Sequence, residues 1–365
     1  MKRKKSLSLP IFAYALFALF VFSVAVYVTA TLSSGFADFW TRYPGALVRG
    51  FLAHLTNIFP FSLVEVMLIL LPVFSIITII LILVGKFDKI KKPISFFISA
   101  ISCISLFFSL FALGFGTGYH TSSLESKLSL ECSEISKEEL AETARLLADL
   151  TNEASEEVDF EPSSFSIMPY SLSELNKKLL SAYDALSDEY DFIARLSSRI
   201  KPVMLSKPMS YTHITGVYTY FSGEANLNVN FPDYTLPFTA AHELAHQRGI
   251  AREDEANFIA FLVCIKSDDP YIRYSGLLNM YEYVAYPLSS YSELYTPVAK
   301  SLNEKVKYEL IAYSEFFNEY RHSSVGKVSE SINNSYLQSV GTEGTKSYGM
   351  VVDLAVAYLK NNFLR

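Results

Sequence analysis

Two histidines and a glutamate in His242-Glu243-Leu244-Ala245-His246 point most directly to chemistry. On a helix, positions i and i+4 share one face, about 6 Å apart along the axis. Two imidazoles so placed can bind one Zn2+ at about 2.0–2.1 Å. Glu243 stands beside the first ligand, where it reaches a zinc-activated water rather than the metal. It can take that water's proton and pass it to a leaving amine. The expected cofactor is therefore Zn2+, one per chain. The pattern arises by chance in under about 1% of chains this long, so its surroundings must add to it.

A catalytic zinc site needs a third protein ligand and one open position. Glu253, Asp254, Glu255 and Asn257 follow at once. Glu253 and Asn257 share a face, which predicts Glu253 as third ligand and Asn257 as hydrogen-bond partner of a ligating histidine. Glu255 points about 200° away and is the alternative ligand. The helix dipole alone also favours carboxylates at a helix start; the upstream motif tips the reading to metal.

His213, Glu224 and Asn226 are weaker candidates for the cleft, since a strand histidine and ordinary turn chemistry account for them equally. Hydrolysis also needs a donor to the developing oxyanion. Tyr274, Tyr281 and Tyr348 are candidates among 24 tyrosines.

The elements that position these residues are legible in outline. Residues 211–221 are β-branched and aromatic, Ser222-Gly223-Glu224 suits a turn, and 227–231 alternate with period two, which predicts a hairpin. An extended peptide could join the strand at 217–221. Pro237 suits a first helical turn and Gly249 a helix stop, so the motif sits on a bounded helix. A second helix runs from near Glu253 through Ile265. Others are expected at about 271–286, 302–320 and 346–362. Ser136-Lys137-Glu138-Glu139 and Ser171-Leu172-Ser173-Glu174 are capping boxes opening helices to about Leu150 and Arg199, with 156–162 as loop between.

Half of the residues are hydrophobic, unevenly spread. Runs at about 11–32, 61–84 and 94–115 each suffice to cross a hydrocarbon core of about 30 Å. The first is too long and aromatic for a signal peptide and lacks a cleavage site, so a retained anchor is expected. Lys2, Arg3, Lys4, Lys5 and the lysines of the 86–92 loop place those segments in the cytoplasm. Residues 1–118 then form a membrane domain. Residues 119–365 form an extracytoplasmic domain on a polar stalk at 119–133.

Residues 1–118 carry 10 Lys+Arg against 3 Asp+Glu, and the remainder 21 against 34. An acidic outer domain argues against nucleic acid as partner. Glu65, near the outer end of the second run, reads as solvated at the interface. Cys132 and Cys264 fall outside the membrane, paired or free; Cys103 lies in the third run.

At the metal motif the chain resembles a gluzincin, the zincin class with a glutamate third ligand. The usual pattern is HExxH followed by ExxxD on a later helix. Asn257 stands in place of that Asp, which keeps a hydrogen-bonding group and weakens the electrostatic push on the histidine. The interval from His246 to Glu253 is short, which sets it apart from the large bilobed gluzincins. Leu227-Asn-Val-Asn-Phe231, Phe238-Thr-Ala-Ala-His-Glu-Leu-Ala-His246 and Glu253-Asp-Glu-Ala-Asn-Phe-Ile-Ala260 are similar to compact ImmA/IrrE-type metallopeptidases. Those place a strand before the motif helix and an E-x-E-A-N-type helix after it. Over nearly the whole chain, the three runs, Gly223-Glu-Ala-Asn226, the stretch from Pro232 to Gly249, Ala251-Arg-Glu-Asp-Glu-Ala-Asn-Phe258 and Ser347-Tyr-Gly349 resemble an uncharacterised bacterial membrane-protein family. That resemblance implies architecture and site, and no substrate.

The expectation is three transmembrane helices followed by a mainly α (α+β), zincin-like ectodomain with a small β-hairpin or sheet before the motif helix. The expected function is a membrane-anchored zinc metallopeptidase with Glu243 as base and then acid. Its partners are a peptide or protein substrate and the lipid bilayer, with no oligomeric state implied. The alternative is a non-catalytic zinc-binding sensor or scaffold. A transporter component is weaker, because the runs carry little polarity.

Overall fold

The apolar runs fold as helices α1 (Ile11–Leu32), α4 (Leu63–Leu83) and α5 (Pro93–Gly114) in a computed structural model that describes residues 11–84, 93–162 and 165–363. Over Phe12–Leu32, α1 is long and apolar enough to cross a membrane by length and composition. The described apolar stretches of the other two are shorter, Leu63–Ile77 and Ile101–Gly114. The basic clusters at 2–5 and 86–92 lie outside the described residues.

Two further helices, which no sequence pattern predicted, fill the segment between α1 and α4. These are α2 (Ser34–Arg42), capped by the Ser33 hydroxyl, and α3 (Pro44–Thr56), opened by its proline. The expected stalk is also structured, as a 3-10 turn (Gly116–His120) and α6 (Leu124–Lys127). It does not stand free. The Leu124 amide donates to Glu255 at 2.8 Å, and Arg252 donates to the carbonyls of Tyr119 and Thr121.

Both capping boxes form as expected, opening α7 (Lys137–Ser155) and α8 (Leu172–Glu189). α8 ends well before Arg199, where Tyr190 turns to extended backbone, and β1 (Ile200–Pro202) follows. After α9 (Ser206–Ser210) come β2 (Gly216–Thr219) and β3 (Glu224–Leu227). The sheet order is β1-β3-β2, with β1 parallel and β2 antiparallel to β3.

The hairpin is shorter than its sequence pattern. His213 takes a left-handed φ of 62°, which delays the strand to Gly216. Beyond Leu227 the Asn228 side chain bonds Ile214 O and Ser210, ending the ladder. A three-residue β1 carries no readable periodicity; its pairing with β3 alone defines it.

The metal-motif helix α10 (Thr235–Gln247) and α11 (Glu253–Lys266) lie close to their expected bounds. They are followed by α12 (Pro270–Leu288), α13 (Ser292–Ser301), α14 (Glu304–Asn318), α15 (Ser324–Ser339), a 3-10 turn (Gly344–Met350) and α16 (Val351–Asn362). Of these, α13 and α15 lack a sequence signal. The protein is mainly helical with one small sheet.

The core joins α7, α8, α10, α11, α12 and α16 through Leu147, Leu179, Leu244, Ile259, Leu278 and Ala355, all fully buried. Each large aliphatic side chain there contributes about 1.5–3 kcal/mol. Cys264 is buried against Gly276, while the Cys132 sulfur faces the Asp353 carbonyl at 3.7 Å; both are free.

Candidate metal centre

α10 and α11 meet at a tight corner that brings the motif and Glu253 together. The corner turns on Gly249, whose φ of +99° suits only glycine. Folding back at Gly249 carries the Ile250 carbonyl to 2.7 Å from His246 Nδ1. That bond orients the ring and leaves Nε2 as the free donor atom.

The ligand atoms of His242, His246 and Glu253 all lie within 4.8 Å of one another. Glu253 Oε2 is 3.2 Å from His242 Nε2 and 3.4 Å from His246 Nε2. Neighbouring ligands on a tetrahedral ion with bonds near 2.05 Å are separated by about 3.3–3.4 Å. Glu253 Oε2 is buried, and its polar neighbours there are the two histidine Nε2 atoms. The donor set and its spacing fit zinc.

The electrostatics agree with a cationic centre. Burial pushes the Glu253 carboxyl up, but the charge of His246 and hydrogen bonds from both histidines outweigh it and hold the group well below its ordinary range. Burial pushes His246 down, and Glu253 together with Glu243 reverses this, raising it to about 9. Glu243 is raised, first by burial, with His242 and His246 opposing. A buried carboxylate with a raised pKa and one free oxygen is suited to accepting a proton.

Glu243 packs against the backbone of β2. A Cβ on Gly216 would lie 2.6 Å from Glu243 Oε1. Sequence reading overlooked Gly216, although a glycine inside a strand pattern signals a close approach. Two rings were also overlooked. Phe115 meets His246 edge-on at 5.7 Å, and Tyr218 stacks on it at 6.4 Å. Neither has a signal in sequence, because they come from other elements.

The remaining candidates fall elsewhere. Among the described residues no hydrogen bond joins Asn257 to either histidine. It shares the Glu253 face of α11, four residues on, and its neighbour is the Tyr283 hydroxyl. The Ile250 carbonyl takes the orienting role expected of Asn257. Glu255, the alternative ligand, pairs instead with Arg252 at 2.8 Å.

His213 bonds the Tyr320 carbonyl at 2.8 Å and touches no ligand residue. Glu224 is buried in an ion pair with Lys201. Asn226 ties Val217 O to the hairpin at 3.1 Å. Tyr274 donates to Glu309, and Tyr281 is buried in the core. Tyr348 lies in the Gly344–Met350 turn, its side chain outside the described residues. Tyr336 of α15 bonds the Tyr119 hydroxyl at 3.2 Å.

Fold and site together define a mainly helical protein with a candidate N-terminal membrane helix and a buried His-His-Glu cluster. The chain belongs to the family described as Protein of unknown function (DUF3810), whose profile matches residues 41–356. No curated protein and no solved structure matches it.

Proposed function

We propose that this protein is a membrane-anchored, zinc-dependent metallopeptidase of compact zincin type. The observation that carries the reading is the convergence of three buried donor atoms within 4.8 Å of one another, with Glu253 at tetrahedral spacing from each histidine and Glu243 beside them. Zinc, when bound by His242, His246 and Glu253, polarises the scissile carbonyl and lowers the pKa of water. Glu243 removes the proton from the attacking water and delivers it to the leaving amine. Ile250 and the Phe115 and Tyr218 rings hold His246 in place. Tyr218, whose ring stacks on His246 and whose buried hydroxyl has no partner among the described residues, is the candidate oxyanion donor.

The anchor in this reading is three helices, α1, α4 and α5, with the N-terminus inside. Helices apolar on every side belong in lipid. Phe17, Val21, Leu68, Leu71, Phe74 and Ile104 are large, apolar and exposed on them.

The test is the zinc content of the purified full chain beside His246→Ala and Glu253→Ala, with Glu243→Gln assayed on a peptide mixture. One zinc per chain, lost in both ligand variants and retained without hydrolysis in Glu243→Gln, is expected. A wild type that binds no zinc at neutral pH removes the proposal. Zinc binding without turnover in any variant moves the protein to the sensor reading.

A further inference from the structure

We infer that the substrate is a polypeptide tethered in the bilayer and cleaved in the first few residues outside it; this rests on the peptidase and three-helix reading above. The metal cluster is not lifted away from the membrane helices. Phe115, which directly follows α5, packs against His246. The Arg49 guanidinium bonds the carbonyl of Gly114 at the end of α5 (2.8 Å) and those of Gln247 and Arg248 at the end of α10 (both 3.1 Å).

The β2–β3 turn reaches lower still. Tyr220 rests on Phe111 at 5.3 Å and Phe221 on Phe107 at 5.1 Å. Phe107 lies about 10 Å down the helix from Gly114. A Cβ on Gly223 would lie 2.7 Å from the Ala53 amide, so the turn is wedged on α3. With α5 in the bilayer, the turn sits inside the outer leaflet.

β2 therefore starts beside Glu243, at Gly216, and ends about 10 Å on at Thr219, where the turn carries Tyr220 and Phe221 toward the lipid. Among the described strands nothing pairs with its second edge. A strand added to that edge lies between Glu243 and the membrane, which is the path of a chain leaving the bilayer.

Val217 on β2 is exposed, and so are Met204 and Leu205 just past β1, across the sheet from that edge. The amides of Met204 and Leu205 donate to Glu65 in the first turn of α4 (2.8 and 2.6 Å), which pins them at the outer end of that helix. A tethered substrate also arrives at high effective concentration.

The experiment uses the zinc-loaded full chain in phosphatidylcholine vesicles. The probes are a randomised octapeptide mixture in three forms: free, palmitoylated next to the octapeptide at either end, and palmitoylated through a twenty-residue spacer. Cleavage read by mass spectrometry is expected to be at least tenfold faster for the short tether than for the other two. Equal cleavage of all three keeps the peptidase reading and overturns the tether. No cleavage of any probe by the zinc-bound protein overturns both. A second measurement needs no activity: the added fluorescence of Met204→Trp over wild type should be quenched by brominated acyl chains. An unquenched tryptophan overturns the inference and leaves the metal site untouched.

Discussion

Arg49 and Gln247, 198 residues apart in sequence, are joined by a 3.1 Å hydrogen bond from the buried guanidinium to the main-chain carbonyl. The same group bonds Thr41 O, Gly114 O and Arg248 O, so one side chain clamps α2, α5 and the end of the motif helix. Gly249 and Gly45 make room for it; a Cβ at either would lie 2.5 Å or 3.1 Å from guanidinium nitrogens.

Arg49→Met should leave several buried carbonyls without donors and cost about 3–5 kcal/mol. Arg49→Lys should recover only part, because an ammonium lacks the planar fork. Thermal midpoints of the full chain check this. A midpoint unchanged in Arg49→Met would show that the clamp carries no stability.

Gly216→Ala tests the contact between β2 and the proposed base. The new methyl meets Glu243 rather than a ligand, so zinc content should stay at the wild-type level. Peptide hydrolysis should fall about a hundredfold, as for a general base displaced by an ångström. Loss of zinc in this variant would instead place Gly216 in support of the ligands.

Stability should depend on Glu282. Its carboxyl is raised to about 7, first by burial, with Glu309 adding and the Tyr234 hydroxyl opposing. A folded pKa above the unfolded one means that the folded state holds the proton more tightly. The contribution is complete below about pH 4 and is lost as pH rises through about 7. The metal-free protein should therefore lose about 1–3 kcal/mol from this group between pH 5 and 8. Melts across that window should show a shallower slope for Glu282→Gln. Parallel slopes for the two proteins would count against the burial of this carboxyl.

Lys201 and Glu224 form an ion pair buried on both sides, and the Glu224 carboxylate also accepts from the Leu63 and Val64 amides at the start of α4. Lys201→Met leaves that carboxylate uncompensated and should cost about 3–5 kcal/mol. Adding Glu224→Gln should return part of the loss, since the amide oxygen still accepts from α4. A double variant no better than Lys201→Met, measured by denaturant midpoint, would mean that α4 depends on the carboxylate charge itself.

Local chemistry made much of the protein readable from sequence. The boxes at Ser136 and Ser171 start α7 and α8 because hydroxyl and carboxylate satisfy amides three residues away. His242 and His246 share a face by helical geometry alone, with Glu243 about 100° round the helix from the first. Glu253 needed only the short turn at Gly249 to reach them.

Other features were beyond that reach. β1 is three residues long and exists through its pairing with β3. α2 and α3 lie between two apolar runs, where no element was expected, and the expected stalk is held by Glu255 and Arg252. Asn257 shows the same division at one residue: helical spacing placed it correctly on the face of Glu253, yet the carbonyl that orients His246 belongs to Ile250. Sequence alone determined the elements whose signals lie within a few residues, together with the residue types of the His-His-Glu cluster. Tertiary structure decided what surrounds that cluster, because Phe115, Tyr218, Gly216 and Arg49 reach it only when distant elements pack.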